Sequence, residues 1–196
     1  MPEPIEEMYS ALLERFKGDL LRPEHPHYED ARAIWNGMVA KKPGLIARCA
    51  DVGDVQNAVR SASATGILTA VRCGGHSLAG FSTCDGGFVI DLSRMGEVTV
   101  DPDARRAKFA GGCLLGSIDN ATQKVGLVFP SGVVSHTGAS GLAGTHHSRR
   151  RLRETGGASR APIPAPGPAP RPAPRVPSPS APESYPLFPA HFPVQP

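Results

Sequence analysis

Residues 72–80 read RCGGHSLAG and come directly after a predicted strand at residues 68–72. Because glycine has no Cβ, Gly74 and Gly75 can adopt positive φ angles and bring successive backbone N–H groups close to an anion. The sequence contains neither the G-x-G-x-x-G motif at the start of a helix nor the G-x-x-x-x-G-K-[ST] motif, which mark the common nucleotide folds. The segment therefore predicts a phosphate-binding loop of another type, built from backbone groups.

A second glycine-rich loop, PSGVVSHTGASG at residues 130–141, also follows a predicted strand, at residues 127–129. Two such loops can hold the two ends of one diphosphate cofactor, whereas either loop alone is weak support for a nucleotide site. The pair therefore predicts one shared cofactor site.

The residues before the first loop predict a strand–helix–strand unit with strands at residues 45–49 and 68–72. Asp51 can cap the helix, because its carboxylate accepts from free N–H groups of the first turn, and Gly66 can end it. Strands joined by such a crossover are parallel, so we expect these two strands to be parallel neighbours. The residues expected on the buried helix face are Val55, Ala58, Val59 and Ala62.

Further elements complete the prediction of an α+β fold with a mixed sheet. An amphipathic helix spans residues 5–17 before Gly18, a strand spans residues 88–92, and a hairpin spans residues 98–110. A last helix ends at Gly126. Its expected buried face consists of Leu115, Ile118, Ala121 and Val125.

Charge is divided unevenly along the chain. Residues 1–148 contain 14 Lys and Arg against 16 Asp and Glu, and residues 149–196 contain 7 against 2. A slightly acidic folded part without a basic stripe excludes a nucleic-acid-binding domain. The run RRRLR at residues 149–153 either contacts nucleic acid or an anionic surface, or is the solvated start of a disordered tail. The second interpretation is favoured.

Other classes of protein are excluded by shorter arguments. No apolar run reaches the roughly 18 residues that cross a bilayer, and residues 1–10 are acidic without the basic and apolar regions of a signal peptide. We therefore expect a cytoplasmic protein with no membrane partner. No C-x-x-C pair occurs, and His146 and His147 are adjacent, so no metal site is predicted. The residues expected to be reduced thiols are Cys49, Cys73, Cys84 and Cys113.

Residues 72–80, the strand end IDLS at residues 90–93 and residues 130–142 together resemble the FAD-binding domain of berberine-bridge-enzyme-like FAD-linked oxidases. This domain is of the PCMH/VAO type, and the resemblance covers roughly residues 20–142. It implies that FAD is the cofactor, that loop backbone holds the diphosphate, and that His76 is bonded covalently to the flavin 8α carbon. The cofactor-binding residues that it implies are Arg72, Gly74, Gly75, His76, Ser77, Gly80, Pro130, Gly132, Thr137, Gly138 and Gly141.

The residue type at position 76 suits this implied role. A neutral imidazole nitrogen is a nucleophile near pH 7, and neighbouring glycines leave the ring free to approach a flavin edge. The alternative is a loop histidine that faces solvent. Some family members add a second bond through a cysteine in the second loop, but Val134 occupies that position, so at most one bond is expected.

After residue 142 the sequence departs from the family, whose members continue with G-L-x-L-G-G-G, a substrate-binding domain and a late catalytic tyrosine. Residues 143–148 instead read AGTHHS, and 14 of the 21 prolines follow residue 161. We therefore expect an incomplete FAD-binding domain over residues 1–142 and a disordered Arg/Pro-rich tail over residues 143–196. A reading-frame change in a longer oxidase gene is our hypothesis for this break, and we assign no catalytic residue.

Three functions fit the sequence. The first is an FAD-dependent oxidoreductase in which an organic substrate of open identity transfers hydride to flavin N5. The second is a non-catalytic flavin-binding remnant. The third places the function in the tail, because RPAPRVP at residues 171–177 matches an R-x-x-P-x-x-P polyproline ligand. Such matches are frequent in proline-rich segments, so the first function is favoured.

Overall fold

The computed structural model of the chain describes residues 3–144 and 153–154, all within a unit that spans Met1–Gly157. Predictions about most of the tail, including the polyproline motif and the pair His146–His147, lie outside the described residues. In chain order, the elements are α1 (Glu3–Leu13), β1 (Asp19–Leu21), α2 (Tyr28–Arg32), β2 (Leu45–Arg48), α3 (Val52–Thr65), β3 (Thr69–Arg72), β4 (Phe88–Asp91), β5 (Val98–Asp101), β6 (Arg106–Phe109), α4 (Leu115–Gln123), β7 (Leu127–Val128), α5 (Ala139–Gly144) and β8 (Arg153–Glu154). Among these helices, none is both long and apolar enough to span a membrane.

The main sheet has four strands in the order β1-β2-β4-β3. Strands β2, β4 and β3 are parallel, and β1 pairs antiparallel with β2 at one edge. The predicted strand–helix–strand unit is present as β2, α3 and β3, with both strands parallel to β4. The expectation that β2 and β3 are neighbours is wrong, because β4 lies between them. The apolar residues of β4, Phe88, Val89 and Ile90, are at most 2% exposed. A strand that is apolar on both faces belongs in the centre of a parallel sheet.

Helices α1 and α3 pack together with β2 and β4 on one face of the sheet. Asp51 caps α3 by accepting the backbone N–H of Asp54 at 3.0 Å, and Gly66 ends it with a φ of +63°, both as predicted. Val59 is 51% exposed, contrary to the prediction, because it lies one residue from the buried Ala58 and so turns away from a narrow buried stripe. The buried cluster on this face consists of Ile5, Met8, Leu12, Leu45, Ala47, Cys49, Ala58, Phe88 and Ile90.

Helix α1 ends at Leu13 rather than at Lys17 as predicted. The backbone N–H groups of Lys17 and Gly18 donate to the buried carboxylate of Asp54 at 2.8 and 2.9 Å. The N–H of Ala50 donates to the same carboxylate at 2.9 Å. These bonds fix the residues after α1 against the first turn of α3, so that the chain leaves the helix and enters β1.

The opposite face of the sheet is covered in part by α2. The hydroxyl of its Tyr28 donates to the carbonyl oxygen of Pro43 at 2.6 Å. Neither α2 nor β1 was predicted from the sequence, because five and three residues are too few to show a period. The buried cluster on this face consists of Leu21, Tyr28, Ala31, Ile46, Ala70, Cys84 and Val89.

The predicted hairpin is present as β5 and β6, and α4 contributes to a third buried cluster. Leu115 and Ile118 are buried as predicted, but α4 ends at Gln123, and Val125 lies beyond it with 42% exposure. Beyond residue 142, α5 continues to Gly144, and β8 pairs antiparallel with β7. The expectation of no regular structure after residue 142 is therefore wrong at these positions.

Candidate functional site

The two glycine loops predicted from the sequence are in contact. A Cβ built on Gly74 would overlap the backbone nitrogen of Gly138 and lie 2.8 Å from the carbonyl oxygen of His136. A Cβ built on Gly138 would lie 2.5 Å from the Sγ atom of Cys73. Real Cβ atoms do not approach other atoms so closely, so both positions require glycine for the loops to meet.

The second loop is fixed to the start of α4 by three backbone hydrogen bonds. The N–H of Leu115 donates to the carbonyl oxygen of Thr137 at 3.0 Å, and the N–H of Gly116 donates to that of Ser135 at 2.8 Å. In the opposite direction, the N–H of Ala139 donates to the carbonyl oxygen of Cys113 at 2.8 Å. The loop backbone is therefore held in place before any ligand binds.

The first loop turns at Gly75, with a φ of +66°, and at Gly80, with a φ of +71°. Gly74, for which the sequence also allowed a positive φ, does not have one; it needs to be glycine because of its close contact with the second loop. The backbone N–H groups of residues 74–77 donate to no acceptor within the described part of the chain. Unpaired N–H groups in succession are the feature from which an anion-binding backbone nest is built.

A cavity of about 600 Å³ lies at these two loops. Seven of the residues that we predicted to bind the cofactor line it: Gly74, Gly75, His76, Ser77, Thr137, Gly138 and Gly141. The other lining residues, which the sequence did not identify as cofactor-binding, are Val71, Cys73, Phe81, Ser82, Leu92, Ser140 and Leu142. The structure therefore brings both loops to one site and adds an apolar lining from β3, from the end of β4 and from α5.

The remaining four predicted residues lie outside the cavity lining. The guanidinium of Arg72 donates to the carbonyl oxygen of Ala31. Gly80 accepts a hydrogen bond from the Nζ of Lys41 at 3.0 Å and packs against Val39. Pro130 and Gly132 also lie outside the lining; Gly132 is instead close to the side chains of Leu115 and Leu142.

His76 is half-buried between two other rings, so it is not the solvent-facing histidine of the alternative interpretation. The indole of Trp35 stacks on it with ring centroids 5.1 Å apart, and the ring of His136 lies 4.5 Å away. Its Nε2 atom is buried and has no hydrogen-bond partner among the described residues. Burial, and secondarily the charge of His136, lower the pKa of His76 below its ordinary value, so the imidazole is neutral at neutral pH.

Trp35 and His136 act on His76 from distant points in the chain. The backbone N–H of Trp35 donates to the carbonyl oxygen of Gly75 at 3.1 Å, which holds the segment after α2 against the first loop. The single tryptophan lies in a segment for which no structure was predicted, so the sequence gave no signal for this contact.

Within the described residues, no cluster of three or more histidine, cysteine or acidic side chains is arranged to hold a metal ion.

All four cysteines are free thiols. Cys49 and Cys113 are fully buried, and burial raises the pKa of the Cys49 thiol to about 12. Cys73 differs from them, because it lines the cavity while its thiol donates to the carbonyl oxygen of Cys113 at 3.5 Å.

Comparisons with known proteins agree with this geometry. A family model described as an FAD binding domain matches residues 43–159. The (R)-6-hydroxynicotine oxidase of Paenarthrobacter nicotinovorans is 36% identical over 127 residues, which are 65% of this chain and 28% of that protein. The chain therefore spans less than a third of the length of this relative.

Solved structures show the same partial likeness. The crystal structure of 6-hydroxy-D-nicotine oxidase from Arthrobacter nicotinovorans superposes with a TM-score of 0.61 at 35% identity, covering 63% of this chain and 27% of that one. BBE-like 1 of Physcomitrella patens superposes with a TM-score of 0.64 at 26% identity, covering 68% of this chain and 29% of that one.

Proposed function

Because the chain belongs to the FAD binding domain family of FAD-linked oxidoreductases, with FAD as its cofactor, we propose that it holds FAD in the cavity at its two glycine loops and serves an oxidase reaction on an organic substrate. The observation that carries this proposal is the contact of the two loops at Gly74 and Gly138, next to a cavity that both loops line.

We assign the diphosphate of FAD to the first loop. The N–H groups of residues 74–77 have no acceptor among the described residues, and Gly74, Gly75, His76 and Ser77 all line the cavity. A nest of N–H groups binds an anion without a lysine or arginine. Thr137 and Gly138 of the second loop line the same cavity and would complete the cradle.

We assign the flavin attachment to His76. Burial lowers the pKa of His76, which favours the neutral imidazole, and the buried Nε2 has no hydrogen-bond partner among the described residues, which leaves a ring nitrogen for a ligand. Stacking on Trp35 and contact with His136 restrict the orientation of the ring, so a bond is formed from one fixed position. Val134 supplies no thiol, and we therefore propose a single covalent link. As the N–C bond forms, the imidazole would lose its N–H proton and the flavin 8α methyl group one C–H hydrogen; the two electrons released would reduce the flavin ring, which oxygen would reoxidise.

When bound, the flavin supplies the redox chemistry, by accepting hydride from the substrate at N5 and passing the electrons on to oxygen. The contribution of this chain is to bind, orient and hold the cofactor. The apolar lining of Val71, Phe81, Leu92 and Leu142 would exclude water from one side of the cavity.

An absorbance spectrum of the purified chain, taken before and after acid precipitation, tests this proposal. The wild-type chain, supplied with FAD, is expected to carry flavin that stays with the precipitate. His76→Ala is expected to release flavin into the supernatant, because the attachment atom is missing. His27→Ala, a histidine exposed at the surface and outside the cavity, is the matched control and should behave like wild type.

Two results would contradict the proposal in different ways. Flavin that stays with precipitated His76→Ala would refute the covalent link at this residue while leaving FAD binding intact. A wild-type chain that takes up no FAD at all would refute the assignment of the cavity as a cofactor site.

A further inference from the structure

Six side-chain nitrogen or oxygen atoms of the described residues are buried without a hydrogen-bond partner. They are Arg48 Nε, Arg72 Nε, His76 Nε2, Ser82 Oγ, Thr83 Oγ1 and Asp91 Oδ2. Only two of them, on His76 and Ser82, belong to residues that line the cavity. His76 was predicted from the sequence to be a cofactor-binding residue, and Ser82 was not.

Ser82 is held at the cavity by the turn that closes the first loop. Gly80 turns the chain with a φ of +71°, and the N–H of Phe81 donates to the hydroxyl of Ser77 at 3.0 Å. Phe81 is left 78% exposed, while Ser82, the next residue, is only 8% exposed. The chain thus buries a hydroxyl and exposes a phenyl ring, the reverse of what hydrophobicity favours.

A buried hydroxyl without a partner is unfavourable, and nearly all buried polar groups in folded proteins are hydrogen-bonded to protein, water or ligand. The lining also contains the polar side chains of His76, Ser77, Thr137 and Ser140, but none of them forms a hydrogen bond with the Ser82 hydroxyl. A polar atom of a ligand bound in the cavity would supply the hydrogen-bond partner that the Ser82 hydroxyl lacks.

We propose that the hydroxyl of Ser82 forms a direct hydrogen bond with bound FAD, as donor or acceptor, in the same cavity as His76. This inference rests on the proposed function, because FAD is the ligand that it names. Ser82 thereby becomes a cofactor-binding residue beyond the glycines and the histidine of the two loops.

Thr83 provides an internal control for this proposal. Its hydroxyl is also buried without a partner, and the residue is 4% exposed, but it does not line the cavity. Removal of either hydroxyl leaves no protein donor or acceptor newly unpaired. Only the removal at Ser82 should affect the ligand.

The test is a titration of the full chain with FAD, followed by flavin fluorescence. A His76→Ala background keeps binding reversible. Ser82→Ala in this background is expected to weaken FAD binding by roughly 3- to 10-fold, the range for one lost hydrogen bond. Thr83→Val is expected to leave the dissociation constant unchanged. Ser82→Cys keeps the side-chain volume with a weak hydrogen-bonding group, so it should weaken binding like Ser82→Ala even if the alanine variant folds poorly.

The outcomes separate this proposal from the proposed function. Unchanged FAD affinity in Ser82→Ala or Ser82→Cys would overturn the role of Ser82 while FAD binding stands, as expected if water pairs with the hydroxyl. An equal loss of affinity in Thr83→Val would also overturn it, because the effect would then be a general disturbance of the loop. Absence of FAD from both wild type and His76→Ala would overturn the proposed function itself.

Discussion

Two regions of the molecule bury polar groups, and they treat them in opposite ways. At the first turn of α3, the carboxylate of Asp54 is 1% exposed and accepts three backbone N–H groups, from Lys17, Gly18 and Ala50. At the cavity, the atoms His76 Nε2 and Ser82 Oγ are buried and have no hydrogen-bond partner among the described residues.

The difference separates a structural role from a binding role. The Asp54 carboxylate accepts hydrogen bonds on both oxygens from within the chain, so it stabilises the fold. The cavity atoms contribute nothing to the fold by hydrogen bonding, and the unpaired N–H groups of residues 74–77 share this property. Unpaired polar groups that also line the cavity mark the face that a cofactor would complete.

The largest effect is expected from Asp54→Ala. The substitution leaves the three N–H groups of residues 17, 18 and 50 without their acceptor, so we expect the free energy of unfolding to fall by about 3 kcal/mol. Urea denaturation of the variant and of wild type measures this loss. Asp103→Ala, at an exposed position in the hairpin turn, is the control and should change stability by less than about 0.5 kcal/mol. A small loss in Asp54→Ala would remove the contrast between the two regions.

An intermediate effect is expected from Gly74→Ala, which tests the contact between the loops. The added methyl would overlap the backbone at Gly138, and we expect a loss of about 2 kcal/mol in stability together with loss of bound flavin. Thermal unfolding and flavin content measure the two effects.

Gly141→Ala is the matched control for this substitution, because it adds the same methyl group within the same cavity lining. A Cβ at Gly141 meets no atom within 4 Å, so stability should be unchanged or rise slightly. Equal stability of the Gly74 and Gly141 variants would contradict close contact between the loops.

The parts of the fold that the sequence predicted correctly depend on residues close together in the chain. The cap at Asp51, the end of α3 at Gly66 and the hairpin of β5 and β6 are of this kind. The strand order was predicted wrongly because β4, which is distant in the chain, lies between β2 and β3. The end of α1 was predicted wrongly because it depends on the contact of residues 17–18 with Asp54.

The candidate site shows the same limit. Glycine at positions 74 and 138 and the imidazole at position 76 could be read from the two motifs. Trp35 could not, since its stacking on His76 joins segments forty residues apart whose proximity depends on the whole sheet. Ser82 is the second residue after the first motif, but nothing in its residue type distinguishes it from Thr83; only its position in the cavity lining does so.

The smallest expected effect is a pH dependence of the free energy of unfolding, which comes from the lowered pKa of His76. Burial lowers its pKa, and the charge of His136 lowers it further, so the folded chain binds this proton less readily than the unfolded chain. The free energy of unfolding therefore rises with pH between the two pKa values. This contribution is complete above the ordinary histidine pKa of about 6.5 and is lost as the pH falls below it.

Urea midpoints of the flavin-free chain at pH values of about 5, 6 and 7.5 measure this dependence, with His76→Gln as the variant that cannot titrate. Wild type should lose more stability on acidification than His76→Gln. His136→Gln should reduce the difference without abolishing it, since burial is the larger cause of the lowered pKa. Identical pH profiles for wild type and His76→Gln would mean that the imidazole keeps its proton as easily in the fold as in water. The inference that burial in the candidate site favours the neutral ring would then be wrong.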